Sequence, residues 1–339
     1  MLAWELKAFD LDSLTLVERP APEPGPGQVV VEIAAVSLNY RDLAIARGVY
    51  APGQPLPLIP ASDAAGRVVG VGEGVTRWGA GDRVIGCYMQ SWDRGPSTAD
   101  DRIHTLGSPL DGVLCRRRVF PEGFLVAAPE HLSDLECATL PIAALTAWCA
   151  LMEAGGARPG ETVLVQGSGG VSTFATQIAA AAGLRVIAVS RSAQKLATSA
   201  ALGADALIDS TQTPRWGAAA FDALEGRGAD IILDVGGEAT LAQSLRAAAQ
   251  NGRIVSIGYL GGLTPQLDLG LLITKNLSLR GITVGSRSSF EALLRFLARS
   301  GIRPLIDRVF AFEDAPAAFR RLADGGQHGK VCIDLQAAA

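Results

Sequence analysis

The chain predicts a two-domain α/β protein, a β-rich part followed by a doubly wound parallel sheet. Three observations predict it. The first is size: 339 residues, 48% of them hydrophobic and 39 of them Gly, exceed one average domain and can bury a large core without disulfides or structural metal. The second is the stretch up to about residue 128, where short apolar runs are separated by turn residues at close intervals. The third is a change near residue 130, after which strand-like and helix-like runs alternate. Such alternation implies βαβ units with right-handed crossovers.

In the first part, Gln28 to Ile33 reads as a strand after the Pro/Gly turn from Pro22 to Gly27. Gly66 to Gly72 and Asp82 to Gly86 read as further strands. In the second part, Thr162 to Gln166 is a strand and Gly170 to Ala182 a helix. Arg185 to Val189 is a strand and Ala193 to Leu202 a helix. Ala229 to Val235, Gly252 to Ile257 and Asn276 to Val284 continue the strands, with Ala239 to Ala249 helical. These strands are continuously apolar, as strands covered on both faces should be. A helix near Ala315 to Leu322 and a strand from Lys330 to Leu335 end the chain.

Thirty basic and 34 acidic residues leave a formal charge of -4, which speaks against a nucleic-acid partner. The five cysteines, Cys87, Cys115, Cys137, Cys149 and Cys332, are odd in number and show no CxxC spacing. That favours a reducing compartment over a disulfide framework. MLAWELKAFD lacks the layout of a signal peptide, and no apolar run reaches the length of a membrane span. A soluble, cytoplasmic protein with no membrane partner is expected.

One turn carries chemistry. Gln166-Gly167-Ser168-Gly169-Gly170-Val171-Ser172 follows a strand and opens a helix. Gly167 allows the tight turn, and Gly169 and Gly170 let the backbone approach a pyrophosphate at the positive end of the helix dipole. Ser172 stands at the usual third glycine position. About twenty residues on, the second strand ends Val189-Ser190-Arg191-Ser192. An NAD enzyme usually places an acid there, on the ribose 2′-hydroxyl. Here Ser190, Arg191 and Lys195 offer donors and positive charge instead, which predicts NADP(H).

Several stretches together resemble one family: Ser37-Leu38-Asn39-Tyr40-Arg41-Asp42, Ala65 to Gly72, Gly79 to Val84, Ala138 to Pro141 with Leu145 to Trp148, and the turn at 167–172. With these the chain resembles the medium-chain dehydrogenase/reductase superfamily, on its zinc-free, quinone-oxidoreductase-like side. The resemblance implies a GroES-like catalytic domain, residues 1–128 completed by 300–339, and a Rossmann domain at 129–299. It implies an active site between them and a homodimer formed along the strand Asn276 to Val284. It also implies cofactor contacts at Thr146, Val235-Gly236-Gly237, Ile257-Gly258-Tyr259, Val284-Gly285-Ser286 and Lys330. By charge alone, Lys330 is equally an exposed residue at a strand start.

Zinc members carry Cys where this chain has Asn39 and His-Glu where it has Ser62-Asp63, and their third ligand falls near Ile142. An amide, a hydroxyl and an alkyl group do not make the Cys/His site of a catalytic zinc. The four close cysteines of a structural zinc are also missing, since residues 86 to 120 hold only Cys87 and Cys115. No zinc is expected. Without that Lewis acid the substrate must stabilise its own developing charge, as a quinone, an enone or an enoyl thioester does by conjugation. The resemblance makes Tyr50 a proton donor, with an aromatic lid as the alternative and Tyr40 as runner-up. Asn39 either orients substrate or nicotinamide through its amide or simply stabilises a turn. Arg116-Arg117-Arg118 reads as a solvated strand face before it reads as a phosphate site. The competing functions are an alcohol dehydrogenase or carbonyl reductase, and a non-catalytic NADPH sensor.

Overall fold

A computed structural model describes residues 1–336. Along the chain the first segment holds β1 (Leu2–Leu6), β2 (Leu14–Glu18), β3 (Gln28–Leu38), α1 (Tyr40–Ala46), β4 (Asp63–Val71), β5 (Arg83–Gly86), β6 (Arg117–Pro121), β7 (Leu125–Ala127) and α2 (Asp134–Ala138). The middle segment holds α3 (Leu145–Trp148), β8 (Thr162–Gln166), α4 (Gly170–Ala181), β9 (Arg185–Ser190), α5 (Ala193–Ala201), β10 (Ala206–Asp209), α6 (Trp216–Ala223), β11 (Ala229–Asp234), α7 (Leu241–Ala247), β12 (Ala248–Ser256), α8 (Leu269–Thr274) and β13 (Ser278–Gly281). The last segment holds α9 (Arg287–Ser300), β14 (Ile306–Ala311), α10 (Ala315–Ala323) and β15 (Lys330–Asp334). No helix among the described residues is long and apolar enough to cross a membrane.

The chain divides into two compact units. One joins Met1–Ala143 to Gly285–Ala339, and the other is Ala144–Val284. The expected boundaries at 128 and 300 therefore move to 143 and 285. The reason is packing: α2 lies on β3, β4 and β15, and α9 lies on β7, so both helices belong with the β-rich unit. That unit is built on a seven-stranded sheet, six strands in the order β14-β15-β3-β4-β5-β7 and β6 paired to β3 off that path, with β1-β2 as a separate ribbon. β15 runs antiparallel to β3, pairing Val331 with Leu38 and Cys332 with Ser37. This closes a core that includes Val31, Val36, Leu38, Phe120, Phe312, Phe319 and Ile333.

The middle unit is a six-stranded sheet in the order β10-β9-β8-β11-β12-β13, every pair parallel. The order reverses direction between β8 and β11, the switch point at which such sheets bind ligands beyond the carboxyl ends of the strands. Leu164, Ile187, Ile232, Leu245 and Ile254 form the core of one face. The strand expected from Asn276 to Val284 shortens to β13, because its partner β12 pairs only from Arg253↔Ser278 to Ser256↔Gly281. The helix expected from Ala239 to Ala249 shortens to α7, because Ala248 already pairs with Ala229 as the start of β12. β10, α6, α8 and α9 add to the elements read from sequence.

Candidate functional site

In the middle unit, β8 ends at Gln166 and the chain turns through Gly167 at φ +76°. That value is easy for Gly and strained for other residues. The turn is pinned by the Gly167 amide donating to Val189 O (2.7 Å) and by the Ser172 hydroxyl donating to Gln166 O (2.6 Å). α4 then runs twelve residues from Gly170, with Gly169 as its cap and Val171 in its first turn. A Cβ built on Gly169 would meet nothing within 4 Å, so the face of the turn is open to a ligand. The hydroxyl of Ser168 is buried there with no hydrogen-bond partner. An orphaned buried donor beside open main chain at a helix N-terminus fits a bound phosphate. These residues fit a dinucleotide.

A buried network holds the switch point from behind. Asp234, the last residue of β11, accepts from Gln166 Nε2 (3.2 Å), Ser244 Oγ (2.6 Å), Thr240 Oγ1 (2.8 Å) and the Gly237 amide (2.9 Å). Gln166 Oε1 accepts from the Val235 amide (3.3 Å). Gly237 has φ +62°, and a Cβ there would sit 2.6 Å from Gly262 O. Gly236 is as crowded, with Thr240 at 2.5 Å from a built Cβ. The Ile257 amide donates to Asp234 O (2.8 Å), so Ile257, Gly258 and the exposed Tyr259 leave β12 beside this turn. Thr146 is buried and donates to Thr283 O (3.4 Å), with Val284 buried next in sequence.

At the end of β9, Ser190 is buried, Arg191 is exposed, and Ser192 caps α5 by accepting from the Lys195 amide. Asp209 of β10 stands opposite Ser190. Its carboxylate accepts from the amide (2.9 Å) and hydroxyl (2.6 Å) of Thr211, bonds that hold it below the usual carboxylate range. Gly285 and Ser286 fall in the β-rich unit, where Ser286 is buried and caps α9.

In the β-rich unit the zinc-ligand positions named by resemblance converge on one carboxylate. Asp63 Oδ2 accepts from Asn39 Nδ2 (2.9 Å) and from the Ile142 amide (3.2 Å). Lys330 lies 4.0 Å from the same oxygen. Its ammonium donates to Leu38 O (2.7 Å) and to Asn39 Oδ1 (2.6 Å). The antiparallel register of β15 on β3 puts Lys330 beside the end of β3, where α1 begins. Lys330 is thus buried, and the exposed strand-start reading is overturned. Asp42 is also buried here and accepts from the Asn39 amide (2.8 Å). Burial pushes Asp63 up to about 6 against the pull of the Lys330 ammonium, pushes Asp42 up, and pushes Lys330 down.

The donors at this point are an amide, a hydroxyl (Ser62), a carboxylate and a main-chain amide hydrogen. Zinc takes thiolate, imidazole and carboxylate ligands, three or four of them together, and this set holds one such group, Asp63, so it does not fit. Among the described residues no three His, Cys, Asp or Glu side chains come together to hold a metal ion.

Tyr50 follows α1 and is 45% exposed. Its ring lies 5.0 Å from the guanidinium of Arg41, which also lies 4.9 Å from the ring of Tyr88. Arg41 is anchored by donating to Leu106 O (2.9 Å) and Ser108 O. No local pattern in the sequence marks Arg41, which stands between Tyr40 and Asp42, or Tyr88, or the Lys330–Asn39 contact. Tyr40 is half exposed. Of the basic run, Arg116 pairs with Glu313 (3.3 Å) and Arg117 with Glu32 (3.1 Å) inside their own unit.

Two family models match: an alcohol dehydrogenase GroES-like domain over residues 25–130 and a zinc-binding dehydrogenase over residues 170–299. A zinc-type alcohol dehydrogenase-like protein of Schizosaccharomyces pombe is 38% identical, over 98% of this chain and 97% of its own length. A crystal structure of an NAD-dependent alcohol dehydrogenase is 33% identical with a TM-score of 0.90, covering 99% of this chain and 100% of that one. The 2-octenoyl-CoA carboxylase reductase CinF, solved with NADP and 2-octenoyl-CoA, is 27% identical with a TM-score of 0.87, covering 98% and 87%. With a β-rich GroES-like unit, a Rossmann unit and relatives matched along nearly their whole length, the chain belongs to the zinc-type alcohol dehydrogenase-like members of the medium-chain dehydrogenase/reductase superfamily of oxidoreductases.

Proposed function

We propose that the protein is an NADPH-dependent, zinc-free reductase of conjugated carbonyl acceptors: quinones, enones or enoyl thioesters. The observation that carries this reading is the donor set around Asp63, which offers hydrogen bonds where zinc relatives offer metal ligands. An unconjugated aldehyde or alcohol needs a Lewis acid at its oxygen, whereas a conjugated acceptor spreads the developing charge itself. NADPH, when bound, supplies the hydride. The turn at 167–172 receives its pyrophosphate, and Ser190, Arg191 and Lys195 favour a 2′-phosphate over a bare ribose. Asn39 orients the acceptor in this reading. Tyr50 delivers the proton that the reduced substrate needs, from a ring held against Arg41. Similarity to a CoA-linked reductase solved with NADP supports the acceptor class and the cofactor.

The second reading is an alcohol dehydrogenase or carbonyl reductase, favoured by similarity to the NAD-dependent enzyme. NADPH and NADH oxidation screened against quinones, enones and aldehydes separates the two, and turnover of none of them points to a sensor. Metal analysis of protein purified without added metal is the companion measurement. The proposal expects conjugated acceptors alone to be reduced, without stoichiometric zinc. One zinc per chain that activity requires would overturn it.

The proposed assembly is a homodimer. β13 is the edge of its sheet and is exposed along its whole length, with Leu279 on it and Leu269 and Ile273 exposed on α8. An unpaired edge of that kind is commonly covered by a second copy across a twofold axis. Light scattering at micromolar concentration should report twice the 35.2 kDa of the chain. The five cysteines are all free and buried, which supports a cytoplasmic, reducing location.

A further inference from the structure

We infer that Lys330 and Asp63 together clamp the Asn39 side-chain amide, so that its remaining N–H is presented as the hydrogen-bond donor to the acceptor's carbonyl oxygen. The inference deepens the proposed function and rests on that reading for the identity of the oxygen.

The chemistry of the two neighbours fixes which way the amide faces. An ammonium has only protons to give, and it donates to Asn39 Oδ1 at 2.6 Å. A carboxylate can only accept, and Asp63 Oδ2 takes one hydrogen from Asn39 Nδ2 at 2.9 Å. Flipping the amide would set nitrogen against ammonium and oxygen against carboxylate. The second hydrogen on Nδ2 has no partner among the described residues, and Asn39 is only half-buried. The ammonium also polarises the amide, drawing charge toward Oδ1 and sharpening the free N–H as a donor.

The surroundings argue that the clamp is built for this. Lys330 is one of only four lysines in the chain and is buried. Burying an ammonium costs free energy unless it is paired and hydrogen-bonded. Its nearest carboxylate oxygen is 4.0 Å away, while its two short bonds go to Leu38 O and to Asn39. The lysine is therefore placed to hold Asn39 more closely than to pair with Asp63. Asn39 is the donor in this arrangement, and Lys330 is a positioning residue.

The test uses the full-length protein with NADPH and the conjugated acceptor it turns over fastest. Lys330→Met should lower kcat about 10- to 100-fold and leave the NADPH dissociation constant within about twofold. If that variant folds poorly, the double variant Lys330→Met with Asp63→Asn removes both charges and should restore the melting temperature. Its kcat should stay low, because two amides no longer dictate the orientation of Asn39. A pH profile adds a readout that bulk packing would not move. Asp63 is faced by Lys330 and the Cys332 thiol of β15 and by Asp42 of α1. Its protonation near pH 6 should loosen the clamp, and that acid limb should move to higher pH in Lys330→Met. The side-chain amide signals of Asn39, read by NMR, should change in Lys330→Met whether or not any substrate is turned over. Recovery of kcat in the double variant would show that Lys330 only neutralises Asp63. Loss of NADPH affinity with kcat intact would assign Lys330 to the cofactor. Unchanged amide signals would remove the clamp. If the wild type reduces no conjugated acceptor, the function and the acceptor's oxygen fall together, while the amide signals still decide the clamp.

Discussion

Asp234 closes β11 in the Rossmann unit and Asp63 opens β4 in the β-rich unit, and both are completely buried. Asp234 is saturated: each of its oxygens accepts from two neutral donors, and those donors belong to the segments around the switch point of the sheet. Asp63 is held on Oδ2 by Asn39 and Ile142, with a weak contact from Ser62 (3.4 Å) on Oδ1, and stands beside a buried ammonium. The difference teaches that two buried acids in one protein can do unlike work. A network closed on every lone pair rigidifies a turn. One balanced by a cation and left with a spare N–H can still respond to a ligand.

The largest effect should come from opening the closed network. Asp234→Ala leaves the Ser244 and Thr240 hydroxyls and the Gly237 amide without their carboxylate acceptor, and leaves Gln166 Nε2 only Ser244 Oγ (2.8 Å). The cost should be about 3–5 kcal/mol, seen as a melting midpoint lower by about 10 °C. Asp234→Asn keeps Oδ1 as an acceptor for Gly237 and Thr240 and should lose roughly half as much. A loss under about 1 kcal/mol in Asp234→Ala, within the range of an ordinary surface substitution, would erase the contrast.

Much of the Rossmann unit was legible because its signals are local. The turn at 167–172 lies between a strand and a helix contiguous in sequence, and the apolar runs of β8, β9 and β11 match the strands to within a residue. β10 and α6 are not legible in the sequence, because ALID is short and the helix WGAAAFDA begins two residues after Pro214. The Asn39 cluster was less legible. Asn39 was singled out, but its partner Lys330 is 291 residues away and arrives only through the pairing of β15 with β3. No periodicity marks a lysine as buried. Tyr50 was found by resemblance, while the Arg41 beneath its ring had no pattern to announce it.

The next effect concerns that tyrosine. Tyr50→Phe keeps the ring that Arg41 lies against, so it removes the hydroxyl and little else. If the phenol donates the proton, enone turnover should fall about 10²-fold while NADPH affinity stays the same. Quinone reduction should lose less, because quinone oxygens can take protons from solvent. Small and equal losses on both substrates would make Tyr50 a packing residue, leaving Asn39 as the functional group that the cluster presents.

A smaller effect separates Asp63 by pH. Its folded-state value of about 6 lies above the ordinary 3.8, so the folded protein holds this proton more tightly than the unfolded chain. Stability from this group therefore rises as pH falls from about 6 toward 4, and Asp42, also pushed up, acts in the same direction. Asp63→Asn removes the effect. Between pH 7 and pH 5 the wild type should gain roughly 1 kcal/mol relative to the variant, measured by urea denaturation at the two pH values. A gap that stays constant would mean that Asp63 does not titrate in this range. Activity should move the other way, since protonation releases one side of the clamp.

The smallest effect belongs to an exposed charge at the other site. Arg191 follows β9, where an acid would grip the 2′-hydroxyl of NAD and repel the 2′-phosphate of NADP. The one carboxylate opposite, Asp209, is engaged by Thr211. The wild type should therefore prefer NADPH to NADH. Because Arg191 is solvated, its contact with a phosphate is screened, and it should be worth less than any of the buried interactions above. Arg191→Ala should narrow the preference by about threefold, close to 0.7 kcal/mol, through weaker NADPH binding and with NADH binding unchanged. The preference should also shrink as salt is raised, whereas the Asp234 and Asn39 effects should hardly depend on salt. Both dissociation constants can be read from nicotinamide fluorescence. Equal affinity of the wild type for NADH and NADPH would refute the 2′-phosphate argument, whatever the variant does.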